Sequence, residues 1–170
     1  MVKDDSDMEG NSVRKSRVQK ARRFMRDRVN YMVDVVRSTE LLVDRAVRMS
    51  LKPCVRMNGA TDIAFEHIKC VRNFTMYASV FDAFPSVDFV DYTKNPKRFN
   101  KPLPPNYHLT FSRSETNESD CLALLARGVN VAIVFEAVPA TWNGFTVIGL
   151  LPKGRKAKKD RSGFVVRNAN

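Results

Sequence analysis

The segment from Asn106 to Phe135 constrains the fold of this chain more than any other. Residues 107–111 are aromatic and β-branched, Leu recurs at helical spacing from Asp120 to Arg127, and Gly128 follows that predicted helix. The segment Val129–Phe135 is almost wholly apolar, which is typical of a parallel strand covered on both faces by helices. The pattern therefore predicts a strand, a polar loop, a helix and a second, parallel strand.

The polar loop between the first of these strands and the helix is a candidate ligand site. A right-handed crossover places it at the carboxyl end of its strand, where open α/β sheets and β/α barrels bind ligands. Ser112, Arg113 and Ser114 are predicted to bind a ligand, and Glu115 is a candidate catalytic acid or base. The alternative is an ordinary helix cap, in which Ser114 or Thr116 is the N-cap residue.

Two further predicted strands also end in polar loops. Cys54–Met57 leads into a loop with Asn58 and Asp62, and Val87–Tyr92 leads into a loop with Lys94. If the strands are parallel, the three loops lie at one end of the sheet, where Lys94 and its neighbours could bind a phosphate-bearing or nucleotide-like ligand. The predicted catalytic residues are Asp62, Asp91 and Glu115, and the predicted ligand-binding residues are Asn58, Lys94, Ser112, Arg113 and Ser114.

Helical periodicity dominates the residues that precede these strands. Apolar residues at intervals of three and four predict a long helix from Val13 to about Ser50, with a restart at Ser38 or Thr39 as an option. Its apolar stripe begins with Val18, Ala21, Met25, Val29, Met32 and Val36. The aromatic-rich segment from Ile63 to about Phe84 also has a mostly helical pattern.

Positive charge is concentrated near the two ends of the chain. The net charge is +11, and residues 14–28 have eight Lys or Arg against one Asp, while residues 153–170 have seven against one Asp. Clustered Lys and Arg favour contact with nucleic-acid phosphates, although a solvated helix face or tail has the same composition. The predicted nucleic-acid contacts are Arg14, Lys15, Arg17, Arg22, Arg23, Arg26, Lys153, Arg155, Lys156, Lys158 and Lys159.

These patterns together predict an α/β fold in one domain, with a mostly parallel sheet or a partial β/α barrel after a long basic amphipathic helix. Residues 1–12 are predicted to be a disordered acidic tail, 13–50 a basic helical region, 51–152 the α/β core and 153–170 a basic C-terminal segment. Within the last two regions, Phe145–Ile148 is a predicted fifth strand and Phe164–Val166 a predicted edge strand.

The cysteine pattern favours a reducing environment, and we expect a cytoplasmic location. Cys54, Cys70 and Cys121 are odd in number and widely spaced, and the N-terminus does not have the pattern of a signal peptide. His67 and Cys70 are three residues apart, but two residues do not make a metal site. We therefore expect no metal and no cofactor, and no apolar run is long enough for a membrane span.

Several longer segments resemble a known group of proteins. They are CVRMNGATDIAFE at 54–66, FVDYTKNPKRF at 89–99, NYHLTFSRSETNESD through NVAIVF at 106–135, WNGFTVI at 142–148 and KGRKAKKDRSGFVV at 153–166. These segments are similar to a largely uncharacterised family encoded by bacteriophages, plasmids and related bacterial elements. The resemblance covers about two-thirds of the chain and implies an accessory protein of a phage or mobile element.

The resemblance also implies a loose link to radical-type iron–sulfur enzymes, because relatives have a cysteine cluster ahead of a helix similar to residues 12–27. This chain has no Cys before Ser12, and three scattered thiols are not a cluster motif. Relatives also have an acidic insertion where Ile148 here runs directly into Gly149. The sequence therefore leaves three hypotheses: a nucleic-acid-binding accessory protein, an enzyme acting on a phosphate-bearing ligand, or a degenerate descendant of an iron–sulfur enzyme.

Overall fold

The computed structural model describes residues 12–59, 61–149 and 162–167 and has a mixed α/β fold, in which two helices precede the sheet along the chain. The predicted fold class is confirmed. The described residues form two compact units: an N-terminal unit within residues 1–55 and 59–87, and a C-terminal unit within residues 56–58 and 88–170. The domain boundaries that the sequence predicts stay predictions.

Four helices and nine strands make up the regular structure of the described residues. The helices are α1 (Ser12–Arg26), α2 (Arg28–Arg48), α3 (Val80–Ala83) and α4 (Glu118–Ala126). The strands are β1 (Cys54–Arg56), β2 (Cys70–Arg72), β3 (Thr75–Tyr77), β4 (Asp88–Thr93), β5 (Tyr107–Ser112), β6 (Val131–Phe135), β7 (Thr141–Trp142), β8 (Phe145–Gly149) and β9 (Ser162–Arg167). Short 3-10 helices cover Phe65–His67 and Pro96–Phe99. None of the helices described is both long and apolar enough to cross a membrane.

The predicted single long helix is wrong, because the chain leaves helical geometry at Asp27. Asp27 has φ −144° and ψ 70°, and its carboxylate accepts hydrogen bonds from the Asn30 backbone N–H at 3.2 Å and from the Asn30 side-chain amide at 2.8 Å. Asp27 is therefore the N-cap of α2. The predicted restart at Ser38 or Thr39 is also wrong, since α2 continues through both residues and the Thr39 hydroxyl donates to the Val35 carbonyl at 2.8 Å.

The break at Asp27 also interrupts the predicted apolar stripe. Met25 and Val29 are 75% and 77% exposed, whereas Met32 and Val36 are buried. Phe24, which the stripe did not include, is buried instead and packs edge-on against Tyr31, with ring centroids 5.3 Å apart. A stripe of constant period requires a continuous helix, so it cannot extend through the cap.

Arg72 connects three elements of the N-terminal unit. Its Nε donates to Glu40 of α2 at 3.1 Å, and an Nη donates to the Ala83 carbonyl at the end of α3 at 2.6 Å. The guanidinium also lies 4.0 Å from the centroid of the Phe84 ring. Arg72 itself belongs to β2, so one side chain stabilises the packing of α2, α3 and the β2–β3 hairpin.

The helix predicted for residues 63–84 is wrong. This segment forms the first 3-10 helix, the antiparallel β2–β3 hairpin and α3, although its aromatic residues Phe65, Phe81 and Phe84 are buried in the core. Asn73 and Phe74 have φ values of +48° and +61°. Positive φ at both central residues is typical of the tight turns that join hairpin strands, so this turn gives the segment its hairpin.

The main sheet has the strand order β1-β4-β5-β6-β9-β8-β7. The pairs β4–β5 and β5–β6 are parallel, as predicted. However, β9 lies between β6 and β8 and is antiparallel to both, so the prediction that residues 164–166 form an edge strand is wrong. The short strand β7 was not predicted, and the sheet is therefore mixed.

Helix α4 packs against β5 and β6, as the βαβ pattern predicted. Cys121, Leu124 and Leu125 of α4 are buried in one cluster with Phe111, Val131 and Ile133 of the strands. The helix ends next to Gly128, which has φ +79° and is the predicted stop. This crossover places the start of α4 and the loop before it at the carboxyl end of β5.

We predict that Phe74→Gly stabilises the protein. Phe74 is fully exposed and has a positive φ, so glycine relieves the steric cost without removing a packed side chain. We expect the free energy of unfolding in urea to rise by up to about 1 kcal/mol after the entropic cost of glycine is subtracted. Phe74→Ala is the control, because it removes the ring but keeps Cβ and should give no such gain. Equal effects of the two substitutions would contradict the prediction.

Candidate functional site

A cavity of about 360 Å³ lies at the carboxyl ends of the three parallel strands, and we call it the strand-end cavity. β4 ends at Thr93, β5 at Ser112 and β6 at Phe135. Its lining residues are Lys94, Arg113, Ser114, Glu115, Ile133, Val134, Phe135 and Glu136. The structure thus brings together four of the predicted site residues, which are Lys94, Arg113, Ser114 and Glu115.

Asn117 fixes the loop between β5 and α4. Its side-chain oxygen accepts a hydrogen bond from the Ser114 backbone N–H at 2.7 Å, and its amide nitrogen donates to the Ser112 carbonyl at 3.1 Å. The buried thiol of Cys121 also donates to the Asn117 oxygen at 3.6 Å. Asn117 is the N-cap residue of α4 by position, so the alternative prediction of Ser114 or Thr116 as the cap is wrong.

Arg113 is held in place by two neighbours at the mouth of the strand-end cavity. One Nη donates to Glu118 at 2.7 Å, and the guanidinium lies 5.7 Å from the centroid of the Trp142 ring. The hydrogen bond from Arg113 lowers the pKa of Glu118 from its ordinary value. The Arg113 Nε is buried and has no hydrogen-bond partner among the described residues. An acceptor on a ligand would satisfy this donor.

The charges that line the strand-end cavity are balanced. Lys94 and Arg113 are cationic, whereas Glu115 and Glu136 are anionic. Sequence reasoning missed Glu136, although it directly follows the last residue of β6 and so occupies the same kind of strand exit as Lys94 and Arg113. The two cations can bind an anionic group, and the two exposed carboxylates can accept hydrogen bonds or protons.

Asp91 lies within β4 and is only 1% exposed, so it does not line the strand-end cavity. Its Oδ2 accepts hydrogen bonds from the backbone N–H and the side-chain amide of Asn58, and from the Tyr107 hydroxyl at 3.4 Å. Arg98 donates to that hydroxyl at 2.8 Å. Burial raises the pKa of Asp91, although the hydrogen bonds from Asn58 act to lower it. We call these four side chains the buried polar network.

The remaining predicted site residues lie elsewhere. Asn58 is buried in the buried polar network, and Ser112 is half-buried and uses its carbonyl to accept from Asn117. Asp62 is exposed and belongs to the N-terminal unit. The loops after β4 and β5 line the strand-end cavity together with the end of β6, whereas neither Asn58 nor Asp62 lines it.

The predicted nucleic-acid contacts are described in part. Lys15, Arg22, Arg23 and Arg26 are exposed on α1, and Arg23 makes an ion pair with Asp34 at 2.5 Å. Arg14 and Arg17 lie in α1, but their side chains are outside the described part of the structure. Lys153, Arg155, Lys156, Lys158 and Lys159 lie outside the described residues altogether.

The three thiols differ in environment. Cys54 is exposed, whereas Cys70 and Cys121 are buried, and burial raises the pKa of both buried thiols. Buried thiols with a raised pKa are poor nucleophiles and poor metal ligands. Within residues 12–59, 61–149 and 162–167, no group of three or more His, Cys, Asp or Glu side chains could hold a metal ion.

A family model described as Gene product 88 matches residues 8–168, which is nearly the whole chain. No curated protein and no solved structure matches.

We predict that Asp91→Asn destabilises the protein by about 1–3 kcal/mol, the cost of leaving a buried hydrogen-bond donor without an acceptor. Both carboxylate oxygens of Asp91 face N–H donors, because Oδ1 accepts from the Tyr92 backbone N–H at 2.9 Å while Oδ2 accepts from Asn58. An asparagine would turn its own NH₂ group toward one of these donors. Urea denaturation measures the loss, and Asp44→Asn at an exposed position of α2 is the control.

The pH dependence of that loss has a defined sign. Because burial raises the pKa of Asp91, the folded state binds its proton more tightly than the unfolded state does. The stability due to Asp91 is complete below the ordinary aspartate pKa of about 4 and falls as the pH rises through the raised value. The destabilisation by Asp91→Asn should therefore be greatest at low pH and shrink toward neutral pH. A difference that grows with pH would contradict the raised pKa.

Proposed function

We propose that this chain, which belongs to the Gene product 88 family of phage-type proteins, binds nucleic acid through the exposed basic surface of α1. In this role it is an accessory protein of a phage or mobile genetic element and acts in the cytoplasm of the bacterial host. The observation that supports the proposal most directly is the exposure of the α1 cations. Lys15, Lys20, Arg22 and Arg26 are all exposed, so their charges are available to phosphates.

The geometry of α1 suits contact with the phosphate backbone. The helix has 15 residues, which at about 1.5 Å per residue is a length of roughly 22 Å. Duplex DNA presents a phosphate charge about every 1.7 Å along its axis, so a helix of this length can contact several phosphates. Each cation that neutralises a phosphate releases a counterion and strengthens binding at low salt.

The aromatic residue of α1, Phe24, packs inside the protein and so cannot stack on nucleic-acid bases. Phe24 is buried, packs on Tyr31 and Phe65, and has the Arg28 guanidinium 5.0 Å from its ring centroid. Binding of single strands usually depends on exposed aromatic rings on which bases stack. We therefore propose that α1 contacts the backbone of a duplex with little sequence preference.

The first test is a salt series with a labelled DNA duplex and the double variant Lys20→Glu, Arg22→Glu. We expect wild-type affinity to fall steeply with salt, and the slope of log K against log salt to lose about 1.8 units in the variant, at about 0.9 per phosphate contact. The control is Lys97→Glu, Lys101→Glu, which makes the same charge change at exposed residues of the C-terminal unit. Equal losses in both variants would mean that net charge alone drives binding, and no binding at low salt would refute the proposal.

A second candidate function is the binding of a phosphate-bearing or nucleotide-like ligand in the strand-end cavity. The observation that favours it is the buried Arg113 Nε, which has no hydrogen-bond partner in the part of the chain that the structure describes. The cationic Lys94 lines the same cavity at the neighbouring strand exit. Glu115 and Glu136 would then be near the ligand and could act as general acid or base. This candidate function is ligand binding, and any catalysis by Glu115 would require that binding first.

The test is thermal unfolding with adenosine 5′-monophosphate, and with inorganic phosphate, as probes. A ligand at about 100 times its Kd stabilises the folded state by about 2.7 kcal/mol, which should raise the melting temperature of a chain of this size by several degrees. Lys94→Ala should reduce this rise. Lys97→Ala is the matched control, because Lys97 is exposed three residues away and does not line the strand-end cavity. Equal rises in both variants would refute this candidate without bearing on DNA binding.

A further inference from the structure

A second concavity lies in the N-terminal unit, between the start of α2 and the segment that leads into β2. It encloses about 370 Å³, and we call it the apolar groove. Its apolar lining residues are Val29, Met32, Val33, Ile68, Val71 and Met76. The proposed nucleic-acid surface uses α1, and none of the residues that line the apolar groove belongs to α1. Nucleic-acid binding by α1 therefore does not account for the apolar groove.

The walls of the apolar groove are exposed, although they are hydrophobic. Val29, Val33, Val71 and Met76 are each at least half exposed, while Met32 beneath them is buried. Apolar side chains that cluster around a concavity without being covered are typical of a surface that binds a partner. Covering them would remove apolar area from water and favour association.

The rim of the apolar groove is basic. Arg28, His67 and Lys69 lie at this rim, Cys70 completes the lining, and none of the ten lining residues is Asp or Glu. Arg28 is at the first position of α2, and its guanidinium lies over the Phe24 ring, which holds the charge beside the groove. An occupant with carboxylates beside its apolar residues would therefore be complementary in charge. A second copy of this chain is disfavoured, since each copy has a net charge of +11.

The two walls together favour a helical occupant. Val29 and Val33 are four residues apart on α2, so they form one ridge along the helix. Val71 and Met76 are opposite each other across the β2–β3 hairpin and form the facing wall. A channel between two apolar ridges accepts one row of side chains, as an amphipathic helix provides at i, i+3, i+4 and i+7.

We propose that the apolar groove binds an acidic amphipathic helix of a partner protein. The apolar face of that helix packs between the valine ridge and the hairpin, and its Glu and Asp residues lie beside Arg28 and Lys69. This interaction is separate from the contact of α1 with nucleic acid. A protein with both surfaces could connect an acidic partner to DNA.

The test uses a fluorescein-labelled peptide of about four helical turns, with Leu at i, i+3, i+4 and i+7 and with Glu and Ala elsewhere. A peptide of the same composition in scrambled order controls for charge. Fluorescence anisotropy measures the affinity of each peptide for the wild-type chain and for the variant Val33→Glu, which places a carboxylate in the valine ridge. Val47→Glu is the matched control, because Val47 is also an exposed valine of α2 but does not line the apolar groove.

We expect Val33→Glu to weaken peptide binding by at least about tenfold, or about 1.4 kcal/mol, and Val47→Glu to leave it within about twofold of wild type. Lys69→Glu, a change at an exposed rim residue, should also weaken binding and serves if Val33→Glu fails to fold. The double variant Lys20→Glu, Arg22→Glu should bind the peptide as wild type does.

Three results would overturn the proposal. Equal binding of the ordered and scrambled peptides would show that charge alone attracts them. Equal losses in Val33→Glu and Val47→Glu would place the peptide elsewhere on α2. Absence of peptide binding would also overturn it, and in that case sedimentation would show whether a concentration-dependent dimer, lost in Val33→Glu, covers the apolar groove with a second copy.

Discussion

Parallel pairing of β4 with β5 and of β5 with β6 is the constraint on which the strand-end cavity depends. Thr93 pairs with Phe111, and Phe111 pairs with Val131, so the three strands run in one direction with their exits at the same edge. The register between β4 and β5 is supported from inside, because Asp91 of β4 accepts from Tyr107 of β5. The donors around Asp91 offset part of the cost of burying its carboxylate, although burial still raises its pKa. The strands that carry the cavity charges are therefore held by the buried polar network between β4 and β5 as well as by the apolar cluster beneath α4.

Local patterns were enough to predict the elements around the strand-end cavity. The apolar run of β6, the leucine spacing of α4 and the stop at Gly128 each depend on neighbours in sequence, and each was predicted correctly. The period of two along β4 could also have placed Asp91 inside, because Asp91 alternates with the buried Phe89 and Thr93. The polar character of Asp91 was misleading, because it suggested a residue of a ligand site at a position that faces the interior of the sheet.

The errors have a common physical cause, which is that turn chemistry and long-range pairing override helical periodicity. The N-cap at Asp27 separates two helices where the sequence has apolar residues at one continuous helical spacing. The Asn73–Phe74 turn makes a hairpin from a segment that also has helical spacing. Strands β7 and β8 form an antiparallel hairpin with a clearer signal, because Asn143–Gly144 is a favoured turn pair and both residues have positive φ. The pairing of β9 with β6 joins residues about thirty positions apart, so no local pattern predicts it.

The distribution of arginines shows why net charge alone overstates the cationic surface. Arg98 is 7% exposed and is committed to Tyr107, and Arg72 is stacked on Phe84 and bonded to Glu40. Such side chains stabilise packing, and their charged groups interact with partners within the protein and not with a polyanion outside it. Four cations of α1 are different, because they are exposed and screened by salt: Lys15, Lys20, Arg22 and Arg26. The net charge of +11 therefore includes two groups of cations: those that pack within the protein and those that are exposed. Only the exposed cations can release counterions from a nucleic acid.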